Sequence, residues 1–291
     1  MKVTQLPDVE PGSGPRSVAI GTFDGVHLGH REVIKGADTV LTFDPHPLSV
    51  IHPEATPKLI ATFPVKRDLI ESLGVDEMVV IPFDKGFSEQ TAEEFVQDVL
   101  IDGLRAKRVS VGENFRFGKG AKGTADFLGS HDEFETRVVP LVEVGGETVS
   151  SSQVRGLIAA GEVGQAVEFL GGPFLFEGEV VTGDRRGREL GVPTANLVPG
   201  DAYVSPGHGV YAAVAEGYPT AVNVGVRPTF DTGRGLLVEA HLIGFDGDLY
   251  DSVLRIEFLK RLRGEKRFGA VEQLVEQMGR DVDEAVAVAG T

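Results

Sequence analysis

The chain has 291 residues, more than one typical domain needs, and its 41% hydrophobic and 25% charged content excludes a disordered or fibrous polypeptide. Its 28 basic residues against 44 acidic ones give a formal net charge of −16, which disfavours a nucleic-acid-binding face and forces any anion site to concentrate a few cations. Cysteine is absent, excluding disulfides and Cys-ligated metals, and Met1-Lys2-Val3-Thr4-Gln5-Leu6-Pro7 is neither a signal core nor a membrane span, so a cytoplasmic protein with no membrane partner is expected.

Residues 17 to about 112 alternate strand and helix patterns, as a parallel sheet with crossover helices does. Strands are predicted at 17–20, 40–43, 78–81, 109–111 and 137–142. A helix over 64–73 carries apolar Val65, Leu69, Ile70 and Leu73 and stops at Gly74. Thr91-Ala92-Glu93-Glu94 reads as a capping box opening a helix with the stripe Phe95, Val96, Val99, Leu100 and Leu104. Helices follow at 153–160 and 163–170. After Gly171-Gly172-Pro173 the pattern becomes β-rich at 174–181, 210–215, 221–226, 237–243 and 253–258, then closes with an amphipathic helix at 268–278. The expected fold is α/β: a Rossmann-like N-terminal domain with a parallel sheet, residues 1–170, and a small C-terminal antiparallel β-barrel with a terminal helix, residues 171–291.

The chemistry concentrates in Gly21-Thr22-Phe23-Asp24-Gly25-Val26-His27-Leu28-Gly29-His30, at the turn from the first predicted strand into a helix. Such turns bind anions in α/β proteins. The glycines let backbone amides approach phosphate oxygens, and two imidazoles three residues apart can donate to charge developing on an α-phosphate. Gly21, Phe23 and Gly29 are therefore candidate phosphate contacts, and His27 and His30 candidate catalytic groups. Two histidines on a turn would be ordinary; H-x-G-H directly after G-x-F-D-G is not.

Two further loops sit at strand ends. Thr42-Phe43-Asp44-Pro45-His46-Pro47 is stiffened by prolines, and Val111-Gly112-Glu113-Asn114-Phe115-Arg116-Phe117-Gly118 offers an amide, a cation and two rings suited to clasping a flat ligand. Asp44, Asn114 and Arg116 are the candidate contacts there. The run from Gly118 to Gly123 lacks the Gly-Lys-Ser/Thr of a P-loop and is not one. Ser150-Ser151-Ser152-Gln153-Val154-Arg155 opens a helix whose hydroxyls ordinarily serve as caps. With Arg155 one turn in, Ser151 and Ser152 also make a seat for a departing pyrophosphate.

In the second domain, the strand from Gly178 leads into a basic loop with Gly183 and Gly191, candidate ATP phosphate contacts. Pro193-Thr194-Ala195-Asn196 then sets a hydroxyl and an amide two residues apart, on one side of an extended segment. These are neutral oxygen ligands suited to a magnesium ion that fills its shell with water and ATP phosphates. Alternation places Glu239 on a face with Leu237, His241 and Ile243, where a carboxylate is either an edge charge or a functional one.

In order along the chain, G-x-F-D-G-V-H-x-G-H, F-D-P-H-P, G-E-N-F-x-F-G and S-S-x-x-x-R resemble the FMN adenylyltransferase module of the bacterial bifunctional riboflavin kinase/FMN adenylyltransferases (FAD synthetases). P-T-A-N, Asn223-Val224-Gly225-Val226-Arg227-Pro228-Thr229, V-E-x-H and Phe245-Asp246-Gly247-Asp248-Leu249-Tyr250 resemble its riboflavin kinase module. The resemblance spans residues 17–281 and implies a nucleotidyltransferase domain followed by a kinase domain. Riboflavin and ATP would give FMN and ADP in the second domain; FMN and ATP would give FAD and pyrophosphate in the first. It also implies Mg2+ as cofactor, held by Thr194 and Asn196, and Glu239 facing the primary hydroxyl of riboflavin. His27 and His30 match the family's histidine pair, Asn114 its flavin- or nucleotide-facing amide, and Ser151, Ser152 and Arg155 its second phosphate motif.

Departures are a short segment at 31–38, Gly244 where the family often has Asp, and Asp251 where it often has Gly. Protonation states order the chemistry. A phosphate monoester with a second pKa of about 6 is a ready nucleophile at neutral pH, whereas a ribityl hydroxyl needs a base. Two other readings are an H-x-G-H adenylyltransferase for a different phosphorylated substrate and a flavin-sensing regulator without turnover. The intact P-T-A-N and V-E-x-H elements speak against the first, and the retained histidines and Glu239 against the second.

Overall fold

The computed structural model describes residues 1–10, 12–181, 194–226, 236–250, 252–266 and 268–290. Gly183, Gly191, Pro193, the Arg227-Pro228-Thr229 end of its motif and Asp251 lie outside the described residues. The chain divides into two compact units, Met1–Pro57 with Phe63–Ser150, and Lys58–Thr62 with Ser151–Thr291.

The first unit carries β1 (Lys2–Gln5), β2 (Arg16–Ile20), β3 (Thr39–Asp44), β4 (Glu77–Pro82), β5 (Ala106–Gly112) and β8 (Glu135–Val139) in one six-stranded sheet of order β1-β4-β3-β2-β5-β8. Every pairing in it is parallel. Strands β2, β3 and β4 are buried almost throughout because helices cover both faces, so they read as continuous apolar runs. Alternate residues feed two cores. Ala19, Val40, Met78 and Val80 pack with Val33, Ile34 and Ile70 of α1 (Leu28–Ile34) and α3 (Phe63–Glu71). On the other side, Val18, Ile20, Leu41, Phe43, Val79 and Ile81 pack with Phe95, Val96, Val99 and Leu100.

Between these lie α2 (Pro47–Ile51), α4 (Lys85–Ser88) and α5 (Ala92–Glu94). The Thr91 capping box is present in both directions, but beyond α5 the helix winds as a π-helix over Phe95–Gly103. Leu104 N donates to Val99 O, five residues back. The wider turn lines up apolar positions four to five apart, 95, 99 or 100, and 104, and buries them together. Sequence periodicity did not anticipate three pieces of this unit. They are edge strand β1, the hairpin of β6 (Arg116–Phe117) with β7 (Gly123–Thr124), and the hairpin of β9 (Glu143–Val144) with β10 (Glu147–Thr148). The last of these turns on Gly145 (φ 61°) and Gly146 (φ 83°), the backbone that a two-residue hairpin loop demands. Helix α6 (Ala125–Gly129) leads to β8.

The second unit is a closed antiparallel barrel of order β11-β12-β15-β14-β13-β16, sealed by β16 against β11. Its strands are β11 (Phe174–Val181), β12 (Ala195–Val198), β13 (Gly209–Ala215), β14 (Tyr218–Val226), β15 (Leu236–Leu242) and β16 (Val253–Arg263). Val222, Val224, Val238, Ala240, Leu254, Ile256 and Phe258 are buried, alternating with more exposed neighbours. Helices α7 (Ser151–Ala160) and α8 (Val163–Leu170), placed with the first domain by sequence, pack with this unit, α8 lying against β11 and β16. The cause is the apolar face Val163, Ala166, Phe169 and Leu170, all buried. Strand β16 continues to Arg263, five residues past its expected end, and pairs there with Val210.

The terminal helix α9 (Val271–Ala289) runs well past the expected end at Met278 and straight through Gly279. Buried Ala285 and Asp281 hold its second half, the latter taking two hydrogen bonds from Arg263 Nε at 3.0 and 3.1 Å, one from Arg263 Nη2 at 2.7 Å and one from Gln277 at 2.9 Å. Gly244 has φ 83°, left-handed backbone that glycine adopts freely and Asp or Asn tolerates best among the others.

Candidate active sites

In the first unit the chain runs from β2 to β3 and β4 on one side, then returns to β5 on the other side of β2. Strand order therefore switches between β2 and β5, the kind of point outside whose carboxyl ends open α/β sheets bind ligands. The loop after β2 holds the G-x-F-D-G-V-H-x-G-H residues; the loop after β5 holds Asn114. Sequence reasoning placed both loops at strand ends, and sheet order makes them neighbours.

The first loop is strained: Phe23 (φ 50°) and Val26 (φ 45°) are non-glycine residues in left-handed backbone, next to Gly25 (φ 80°). Its glycines also serve packing. A Cβ on Gly21 would lie 2.9 Å from the Phe23 ring, and one on Gly29 3.1 Å from the His27 ring. His27 caps α1, its Nδ1 accepting from His30 N at 3.3 Å, which leaves the proton of a neutral ring on Nε2. The two imidazoles stack with centroids 3.6 Å apart, and Phe23 meets His30 edge-on at 5.3 Å.

Burial pulls the His27 pKa down to about 4. Burial, then the neighbouring His27 and Lys66, push His30 well below its ordinary value. Both rings are thereby neutral at pH 7, each with one N–H to offer and no cationic charge. The cation beside them is Lys66 of α3, a residue the sequence reading passed over because it sits in an unremarkable helix. Its buried Nζ lies 3.4 Å from Thr42 Oγ1 and 3.5 Å from Phe43 O. Burial lowers its pKa, and the carboxylates of Asp44 and Asp24 draw it back up.

Asp44 is exposed at the end of β3, followed by α2, whose N-terminus His46 caps through Leu48 N at 3.2 Å. Asn114 is exposed, and Arg116 is exposed with Nη1 on Phe115 O at 3.0 Å. The expected aromatic clasp is corrected: Phe117 is core, packed against Phe95 and Phe127, with Phe115 stacked on it at 5.5 Å. Gly123 on the paired strand makes the room, since a Cβ there would lie 2.7 Å from the Phe117 ring. Ser151, Ser152 and Arg155 belong to the second unit, where they open α7; Arg155 Nε donates to Lys58 O at 2.6 Å.

In the second unit, register does what the linear sequence could not. Asn196 of β12 and Asn223 of β14 each stand directly opposite Glu239 of β15, and Val210 of β13 stands opposite Asn223. Opposite residues share a sheet face, so Asn196, Glu239, Asn223 and Val210 form one row across four strands. The buried alternates Val238, Ala240, Val222 and Val224 fill the barrel, which leaves this row on its outer face.

A cavity of about 710 Å³ lies over that face. Thr194, Asn223, Glu239 and His241 line it from the barrel beside Ala221 and Val210; Leu274, Met278, Val282 and Asp281 line it from α9, with Phe268 beside them, and Arg263, Glu265 and Lys266 add charge to its rim. Asn223 Nδ2 donates to Glu239 Oε2 at 3.1 Å. Asn196 is buried, and Thr194, half-buried, precedes β12 by one residue. Ile243 falls beyond β15, so Glu239 shares its face with Leu237 and His241 alone. The motif that contains Asn223 assigns it no role; only strand pairing shows what it touches.

The family FAD synthetase matches residues 11–153, and the family Riboflavin kinase matches residues 170–289. The Bacillus subtilis (strain 168) bifunctional riboflavin kinase/FMN adenylyltransferase is 35% identical over 92% of this chain and 91% of its own. The Escherichia coli (strain K12) protein of that name is 36% identical over 91% of this chain and 90% of its own. A crystal structure described as a macrolide-efflux protein from Streptococcus pneumoniae superposes with a TM-score of 0.85 at 31% identity, covering 97% of this chain and 98% of that one. No helix among the described residues is long and apolar enough to cross a membrane. Matched in both modules and over nearly its whole length, the chain belongs to the bifunctional riboflavin kinase/FMN adenylyltransferase family.

Proposed function

We propose that residues 1–170 carry the family's adenylyl transfer and residues 171–291 its phosphorylation of riboflavin, and that the site residues act as follows. In the kinase reaction the primary hydroxyl of riboflavin attacks the γ-phosphorus of ATP. An O–P bond forms, the bond from the γ-phosphorus to the bridging oxygen breaks, ADP leaves, and Glu239 takes the hydroxyl proton. What supports this reading is that Glu239 and Asn223 line the cavity with Thr194 on one side and Leu274, Met278 and Val282 of α9 on the other, while Asn196 stands opposite Glu239 in the sheet. Phosphates and their cation suit the first side, a flat ring the second.

A magnesium ion bound together with ATP can draw most of its ligands from phosphate oxygens and water. A buried amide and a hydroxyl fit that need. Thr194 and Asn196 would hold Mg2+, which when bound neutralises phosphate charge. Gly183 and Gly191 contact the ATP phosphates.

In the adenylyl transfer the FMN phosphate, largely dianionic above a pKa of about 6, attacks the α-phosphorus of ATP without a base. Pyrophosphate departs as the O–P bond forms. Neutral His27 and His30 donate to the developing charge, Lys66 supplies positive potential, and Gly21, Phe23 and Gly29 shape the phosphate loop. Ser151, Ser152 and Arg155 receive the pyrophosphate; Asp44, Asn114 and Arg116 contact the flavin. Dependence on ATP suits a cytoplasmic enzyme.

Purified protein incubated with riboflavin, ATP and magnesium should form FMN and then FAD on chromatography; absence of any flavin phosphorylation would defeat the assignment. For the division, a fragment beginning at Ser151 should phosphorylate riboflavin, while one beginning at Gly171, stripped of the buried face of α8, should be less stable. Equal stability of the two would place α8 outside the kinase fold.

A further inference from the structure

Glu239 is held from one side. Asn223 faces it across the β14–β15 pair and donates to Oε2 at 3.1 Å, and both residues line the cavity. Among the described residues Oε1 receives no hydrogen bond, so the two oxygens of one carboxylate are made unequal by a single neighbour. A glutamate has three side-chain torsions, and a base whose carboxylate turns freely spends much of its time away from a near-attack arrangement. Asn223, set on a strand between β13 and β15, is itself fixed by pairing on both sides.

On the reading of Glu239 as the base, we infer that Asn223 is a positioning residue for riboflavin phosphorylation: it anchors Glu239 Oε2 and thereby presents Oε1 to the hydroxyl of the substrate. The proton passes to Oε1 as the hydroxyl oxygen bonds to the γ-phosphorus and the bond to ADP breaks. Asn223 gains and loses no proton in the step. The amide suits the task better than a cation, because it orients the carboxylate without neutralising it.

The competing role is mechanical, in which Asn223 merely ties β14 to β15 or forms the cavity floor. A double-mutant cycle in the full-length protein separates the two. Asn223→Leu keeps the approximate volume and removes the donor. It should lower kcat for riboflavin phosphorylation about tenfold with the KM for riboflavin changed less than about twofold, since the anchoring is needed for the reaction and not for binding.

In a Glu239→Gln background the same change should cost nothing further, because no base is left to orient. Equal loss in both backgrounds, or a rise in KM that accounts for the loss, overturns the inference in favour of a structural role. If Glu239→Gln is slow and Asn223→Leu runs at the wild-type rate, the base stands and the positioning role falls. If Glu239→Gln itself runs at the wild-type rate, the base assignment fails first and the positioning role with it. Melting temperatures of the four proteins check the fold: a variant that fails to melt cooperatively is replaced by Asn223→Ser, which removes the amide with a smaller volume and is judged by the same cycle.

Discussion

The loop after β2 and the row across β12, β15 and β14, the two sites proposed for phosphate chemistry, are built differently. The first site sits on irregular backbone, with Phe23 and Val26 in left-handed conformations and two imidazoles kept neutral by burial. The second sits on paired strands, where register alone brings an amide on each side of one carboxylate. A nucleophile that arrives ionised needs donors and a fixed path; one that arrives as a neutral alcohol needs a base held in place.

The comparison breaks most visibly at Glu239. Glu239→Gln should lower riboflavin phosphorylation by roughly 10² to 10⁴ while leaving conversion of supplied FMN to FAD near wild type. An unchanged kinase rate under chemistry-limited conditions would make Glu239 an edge charge. Replacing His27 or His30 by Ala should lower FAD formation by about 10² or more and spare the kinase. If both activities fall together, the stacked pair holds the fold and not the transition state.

Lys66 sharpens the contrast further, since it is the buried cation beside two uncharged rings. Lys66→Met should cost about tenfold or more in FAD formation from supplied FMN, with no change in FMN formation. A full rate in this variant would show that the histidines and Arg155 suffice.

The smallest effect is one of stability. His27 has a folded pKa of about 4, below its unfolded value of about 6.5, so the unfolded chain binds the extra proton between those values. Stability is complete above about pH 6.5 and falls as the pH drops toward 4, by at most about 3 kcal/mol. Urea midpoints of wild type and His27→Gln between pH 7 and 4.5 read this directly. The wild type should lose more, and parallel curves would mean the ring is solvated.

Much of this was legible from local pattern. Hydrophobic alternation and capping residues marked five of the six strands of the parallel sheet and the start of the helix at Thr91, since these depend on neighbours a few residues away. Edge strand β1 was not legible, because Lys2-Val3-Thr4-Gln5 is a strand only by pairing with β4. The last helix was expected to end at Met278, yet a buried Asp281 held by Arg263 from a distant strand carries it on through Gly279.

The residue types of the two sites, H-x-G-H, P-T-A-N and the glutamate of V-E-x-H, are properties of the sequence, because the chemistry demands particular donors, oxygens and a base. Which of them meet, and in what state, is a property of the packing. Strand order makes the β2 and β5 loops neighbours, burial strips the histidines of charge, Lys66 enters from a helix with no motif, and register sets Asn223 against Glu239. Each of these results from groups distant in the chain sharing a low-dielectric interior or a sheet face, and no window of sequence contains both partners.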